Sequence, residues 1–314
     1  ELEADTEFRE LDLLLTLSGE GDRASLEKQF GSFATPPRFV ASQEAQDLEP
    51  LLDADAIVGA FTVRHGHVSP SALIQAYNRA FQRLRGTILI APVTGLVRIK
   101  DKITGITTAE QAYPAKQVVV AAGGLSRQLL RETGVHVPVY YTQAELIETP
   151  PLDIPLQTLV MPADAQRFVM EAEASKPETN NLWDESGHQI VSPILDSGAI
   201  QFKDGHFCIG QISRTRTTPY PEVDPESSET TIRQGIGQVI PALKHVPGTW
   251  HQVLVSFSRD RSPLVGAMPG IAGLQLFTGF SGPFVYVPPI AERFARAAVG
   301  QDDDILPTFS PGRF

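Results

Sequence analysis

Gln117–Leu130 reads QVVVAAGGLSRQLL, a stretch whose residue types could bring backbone against a ligand. Val118 to Ala122 are small or β-branched apolar residues with no polar break, the pattern of a central strand buried on both faces. Gly123 and Gly124 follow at once, and Ser126 stands where it could N-cap a short helix over Arg127–Arg131. Paired glycines between strand and helix let a ligand approach the main chain closely, because they add no side chain and accept left-handed angles. A second glycine turn, Gly279-Phe280-Ser281-Gly282, opens a loop ahead of an apolar helix over Pro289–Val299. Other candidates carry less. His65 and His67 are two apart, so they share no helix face, and no carboxylate or thiol cluster completes a metal set. Gly235-Ile236-Gly237 has no preceding strand and no third glycine, so it is not read as a dinucleotide fingerprint. No Ser-His-Asp or paired-carboxylate pattern competes.

Local signals lay out the elements that must position these stretches. Leu11–Thr16 reads as a strand, followed after Leu17 by a loop at Ser18–Asp22. Ser25–Phe30 and Ser42–Leu48 read as short helices, and Ala56–Thr62 as a strand. A long helix follows from Pro70, with Ser69 as N-cap, proline at the first position, apolar residues at helical spacing through Leu84, and Gly86 at its end. Thr87–Ala91 reads as a strand, Val93–Ile99 and Ile103–Thr108 as a hairpin, and Gln117–Ala122 as the return to the core. Residues 152 to 250 mostly alternate, as strands with long loops do. Asp204-Gly205 marks a tight turn in the hairpin Ile200–Ile212, which places Cys208 in its second strand as a small buried hydrophobe. Thr217–Thr230 reads as a Pro- and acid-rich loop, and Ile232–Leu243 as mostly helix.

At 314 residues the chain can bury a sizeable core and divide in two, with 42% hydrophobic and 20% charged residues, an ordinary soluble balance. A net charge of −11 argues against a nucleic-acid partner or an anionic membrane surface. No apolar run is long enough to span a membrane. A single cysteine excludes an internal disulfide and fits a reducing, cytoplasmic setting.

Taken together, and in order, these stretches resemble the FAD-dependent D-amino-acid oxidase, glycine oxidase and sarcosine oxidase superfamily. The similar pieces are VVVAAGG at 118–124, the strand at Pro138–Pro151, the hairpin at 200–212, SRDRSPLVG at 258–266 and GFSG at 279–282. The resemblance implies an α+β fold of the D-amino-acid-oxidase type, with an α/β flavin-binding domain and a substrate domain built on a mixed or antiparallel sheet. Residues 64–137 with 254–314 would form the flavin domain, and 1–63 with 138–253 the substrate domain. It further implies FAD as cofactor and a small-molecule amine or amino acid as substrate, oxidised at a C–N bond by hydride transfer to the flavin. Carried over by position, Val93 would face the adenine, and Ala122, Gly123 and Gly124 would pass beside the cofactor. The loop Gly279, Phe280, Ser281, Gly282, Pro283, Phe284 and Val285 would face the ring.

Three departures qualify the likeness. The superfamily's first strand–helix–strand unit, with its G-x-G-x-x-G, has no counterpart before Asp5, so a preceding segment or a partner chain is expected to supply it, and this chain alone is expected to hold flavin weakly. The arginine that fixes the substrate carboxylate aligns with Val255, which leaves Arg259 as the substrate-binding candidate and Arg261 beside it. Pro283-Phe284 follows GFSG where the family often has His-Gly. The first two departures also favour a second reading, a non-catalytic remnant of the fold acting as a binding or interaction module.

Overall fold

The computed structural model describes residues 2–19, 23–164 and 166–314. Part of the loop expected at Ser18–Asp22 thus lies outside the described residues. The chain begins with β1 (Arg9–Leu17), α1 (Arg23–Phe30), β2 (Arg38–Ala41), α2 (Ser42–Leu48), β3 (Gly59–His67) and α3 (Pro70–Arg83). Next come β4 (Val93–Ile99), β5 (Lys102–Thr108), β6 (Ala112–Pro114), β7 (Val118–Val120), α4 (Ser126–Arg131), β8 (Val139–Glu148) and β9 (Thr158–Pro162). The remainder is α5 (Gln166–Ala174), β10 (Gln189–Gln201), β11 (Phe207–Arg216), α6 (Pro225–Val239), β12 (Thr249–Ser258), β13 (Leu264–Ala267), β14 (Leu274–Thr278) and α7 (Pro283–Ala298).

Eight strands form one mixed sheet in the order β12-β8-β11-β10-β9-β1-β3-β2, with β1 and β9 parallel and every other pair antiparallel. Alternation divides its residues between two faces. Ile147, Ile209, Ala199, Val160 and Leu14 point to one, where Ile232 and Ile236 of α6, with Ile240 just after it, close the largest core. Leu146, Leu159, Met161, Ile200 and Cys208 point to the other, over which α5 packs. The sheet takes in 64–67 of β3 and 254–258 of β12, so both strands run through the expected domain seams. Two three-stranded sheets complete the α+β fold, β13-β14-β7 and β4-β5-β6.

Local chemistry accounts for most boundaries. Ser69 Oγ accepts the Ala72 amide at 3.3 Å and caps α3, with Pro70 at its first position. The helix ends in a Schellman motif: Gly86 N donates to Phe81 O and Arg85 N to Gln82 O, both at 2.9 Å. The left-handed residue is therefore Arg85 (φ 67°), and Gly86 is needed one place later because a Cβ there would lie 2.3 Å from the Phe81 ring.

Several expectations need correction. Val118–Ala122 is not a central strand buried on both faces: β7 has three residues, lies at the edge of its sheet, and leaves Val119 45% exposed, because no described residue covers that side. Thr87–Ala91 forms no strand, since no described strand pairs with it. One apolar edge of α3 is likewise uncovered, with Ile74, Tyr77, Phe81 and the following Leu84 exposed, whereas Ala76 is buried. Residues 56–58 precede β3 instead of starting it. Within 152–250, α5 was not foreseen. α6 starts at Pro225, inside the expected loop, because Asp224 caps it. α7 starts at Pro283 and runs through Pro288 and Pro289.

Candidate active site

β7 and β14 run parallel, with Leu274, Gln275 and Leu276 opposite Val118, Val119 and Val120. Continuing that register places Thr278 beside Ala122 and Gly279 beside Gly123. The hydrogen bonds agree: Thr278 Oγ1 donates to Gly123 O at 3.3 Å, and Ser126 Oγ lies 2.7 Å from Thr278 Oγ1. Ser126 is consequently not the N-cap of α4, for it is the helix's first residue and its hydroxyl bonds across to β14. Each strand leads into a left-handed glycine, Gly123 at φ 53° three residues after β7 and Gly279 at φ 81° directly after β14. Adjacent carboxyl ends of parallel strands form the crevice in which open α/β sheets bind ligands.

The two glycine loops suit a flat ring in different ways. A Cβ built on Gly123 meets nothing within 4 Å, so the space beside this backbone is open. Gly124 is the reverse: it is seated on the large sheet, and a Cβ there would stand 2.9 Å from Tyr141 Cβ and 3.2 Å from Leu254 Cβ. On the other side Gly282 caps α7, whose first-turn amides at Phe284 and Val285 have no partner within the helix and carry the positive end of its dipole. Pro283 occupies the position where a missing amide matters least. The first turn holds no acidic residue, so nothing there opposes a ligand that gathers negative charge. These features fit a flavin, with Gly123, Ser281, Gly282, Phe284 and Val285 able to border its ring.

The remaining candidate residues are placed differently. Ala122 is exposed beside Gly123, and Val93 opens β4 with its side chain in solvent. Phe280 turns inward, into a core with Val265 and Ile290, and packs 4.8 Å from Phe277. Arg259 does not continue β12, which ends at Ser258. Its guanidinium bonds Tyr140 Oη at 3.2 Å and Asn180 Oδ1 at 3.3 Å. That joins it to Arg127, which is buried and grips both carboxylate oxygens of Asp184 at 2.8 and 3.0 Å. His67 packs edge-on against Phe202 with ring centres 5.2 Å apart.

Beyond the glycine loops, the α5 face of the large sheet holds a cavity of about 310 Å³ lined mostly by Leu146, Leu159, Met161, Ile200 and Cys208. Burial, aided by Glu148, pushes the Cys208 thiol up to about 12, which keeps it neutral. Arg167 and Phe168 of α5 also line it, as do the polar residues Asp196 and Gln211. One turn on, Glu171 is 1% exposed and reaches toward the loop: it accepts Thr142 Oγ1 at 2.8 Å and lies 3.5 Å from Ser281 Oγ. Burial raises its carboxyl above the usual range, opposed by Arg167, Thr142, Arg261 and Ser281. Neither Arg167 nor Glu171 was named from the sequence. The helix formers of QRFVMEAEA gave a usable signal, but α5 is capped by Asp196, thirty residues later, which accepts the Gln166 and Arg167 amides.

Residues 1–297 match the family described as FAD dependent oxidoreductase (DAO). The chain therefore belongs to that family, and its cofactor is FAD. A glycine oxidase of Pseudomonas putida is 24% identical over 219 residues, covering 68% of this chain and 50% of the relative. The chain thus matches about half the length of that relative. Among solved structures, glycine oxidase from Geobacillus kaustophilus superposes with a TM-score of 0.79 at 18% identity, over 99% of this chain and 77% of that one. Iminodiacetate oxidase from Chelativorans sp. BNC1 gives 0.76 at 16% identity, over 98% and 77%. No described helix is long and apolar enough to cross a membrane.

Proposed function

We propose that this chain takes part in oxidising a C–N bond of a small amine or amino acid, with FAD as electron acceptor. The observation that carries the reading is the pair of left-handed glycines just beyond the neighbouring ends of β7 and β14, tied by Thr278 and facing open space at Gly123. When bound, the flavin supplies the two-electron acceptor. The protein's part is placement. The amides at the start of α7 stabilise negative charge on the ring, and the apolar cavity shields the substrate's side chain from water. Residues 64–137 with 254–314 act as the cofactor unit and 1–63 with 138–253 as the substrate unit, sharing the strands at the seams. The uncovered edge of α3, with Ile88 to Ile90 and Val119, is the surface on which a further segment or partner chain packs to hold the diphosphate. The relatives named for glycine and iminodiacetate oxidation support an amino-acid substrate. The single cysteine supports a reducing, cytoplasmic setting.

The test is anaerobic. With FAD supplied, small amines and amino acids are added in turn and the flavin band near its visible maximum is followed. Bleaching by at least one, with recovery of the band on admitting air or an artificial acceptor, is expected. FAD binding without bleaching by any of them refutes the enzymatic reading in favour of a binding module.

A further inference from the structure

α5 turns three residues to one side, Arg167, Phe168 and Glu171, at the helical spacings of three and four. The first two line the cavity, and Glu171 lies under Ser281 of the flavin-side loop. A carboxylate offers about four acceptor sites. Here one is filled at normal length, by Thr142, while Ser281 stands at the outer limit and Arg167 Nη1 is 3.9 Å away, beyond hydrogen-bond reach. A buried carboxylate so thinly partnered is costly unless a cationic donor reaches it.

Positive charge collects about Phe168, a residue of this helix that lines the cavity. The guanidinium carbons of Arg167 and Arg261 lie 4.9 and 4.6 Å from the centre of the Phe168 ring. Arg261 takes a left-handed φ of 64°. The turn that holds it is fixed by Asp260, which accepts the Ser262 amide at 3.1 Å and two hydrogen bonds from Arg313 at 2.7 and 2.8 Å. Val255 stands opposite Thr142, so the strand position next to Glu171 brings no charge of its own.

We propose that Glu171 is the ammonium anchor of the substrate, with Arg167 and Arg261 receiving its carboxylate and the Leu146–Leu159–Met161–Ile200 cavity its side chain. This rests on the C–N oxidation reading. A substrate so held presents its nitrogen to Glu171 beside Ser281, next to the loop that borders the flavin. The proton step balances without a co-reactant: an N–H bond of the ammonium breaks, an O–H bond forms on Glu171, and the freed lone pair is left on nitrogen, where C=N formation needs it.

The test is calorimetric titration of the full chain, FAD supplied, with leucine, 3-methylbutylamine and 4-methylpentanoate. Leucine should bind about tenfold or more tightly than either fragment, since each lacks one charged end. Glu171→Gln should weaken leucine and 3-methylbutylamine about tenfold and spare 4-methylpentanoate, and Arg261→Gln should do the opposite. Glu171→Asp should recover part of the loss, and thermal melts show that each variant is folded. If Glu171→Gln does not fold, Arg261→Gln and the wild-type fragment pattern decide alone. Binding of none of the three ligands, or leucine affinity untouched in both glutamine variants, overturns the anchor. Anaerobic bleaching separates the two ideas: the expected binding pattern without bleaching sinks the oxidation reading and leaves the anchor, whereas bleaching unaffected by either substitution does the reverse.

Discussion

Gly123 and Gly124 are neighbours, yet the structure sets them opposite fates on replacement by alanine. The added methyl at Gly124 would lie 2.9 Å from Tyr141 Cβ and 3.2 Å from Leu254 Cβ. Both atoms are fixed to backbones that pair along the whole of β12, so neither can swing aside and the loop itself must lift. Overpacking of this kind costs about 1–3 kcal/mol. At Gly123 the methyl meets nothing within 4 Å, and the penalty is the left-handed angle alone. That is about 1–2 kcal/mol, and the stiffer unfolded chain offsets roughly 0.4–1 kcal/mol of the cost at both positions alike. Gly124→Ala should therefore lower the urea midpoint clearly more than Gly123→Ala, at unchanged slope. Flavin binding should rank them differently. The Gly123→Ala methyl enters the open space assigned to the cofactor, and should weaken FAD about tenfold, equivalent to about 1.4 kcal/mol, in a fluorescence titration of folded protein. A Gly123→Ala chain that keeps full FAD affinity would place the ring elsewhere. A Gly124→Ala chain as stable as wild type would show that the loop is not seated on the sheet.

Further outcomes can be stated with their measurements. Arg127→Met, which leaves Asp184 and Asn180 without their shared donor, should destabilise the chain by about 2–3 kcal/mol in urea unfolding. Thr278→Val strands the buried Ser126 hydroxyl, so by the same assay the double variant with Ser126→Ala should be less destabilised than the sum of the singles. Burial tends to raise the Asp260 carboxyl, but the hydrogen bonds from Arg313, Ser262 and Ser258 outweigh it and hold it below the usual range. Its contribution is present above the unfolded value and lost as pH falls through the folded one. The stability gap between wild type and Arg313→Ala should thus be full at neutral pH and shrink below about 4, read from melts across pH. With its thiol near 12, Cys208 should resist iodoacetamide at pH 8 in folded protein and react promptly in urea.

What the sequence showed depended on how local the signal was. The N-cap of α3, the Asp204-Gly205 turn and the strand at β8 are written in adjacent residues, and each stands where expected. The start of α6 was equally local, in Asp224-Pro225-Glu226, but a Pro- and acid-rich composition was read as loop. The apolar run at 118–122 signalled a need for cover, and whether cover is present is not a local property: Val119 faces outward all the same.

α5 shows the remaining limit, and it bears on the site. Its N-terminal amides are held by Asp196 on β10, its buried acid by Thr142 on β8, and its ring by Arg261 from the turn after β12. None of these partners lies within twenty residues of the helix. Alignment by position puts a valine where the family has an arginine, and a continued strand would present Arg259 and Arg261 on the same side as that valine. The chain turns instead after Ser258, Arg259 joins the Arg127 network, and the Asp260–Arg313 clamp carries Arg261 to Phe168. Positive charge that Val255 does not bring thus stands about Phe168, from Arg167 on the helix and Arg261 on the turn. A substitution at one strand position removes a residue type from that position; only the packed fold shows which other segments bring the same chemistry to the same place.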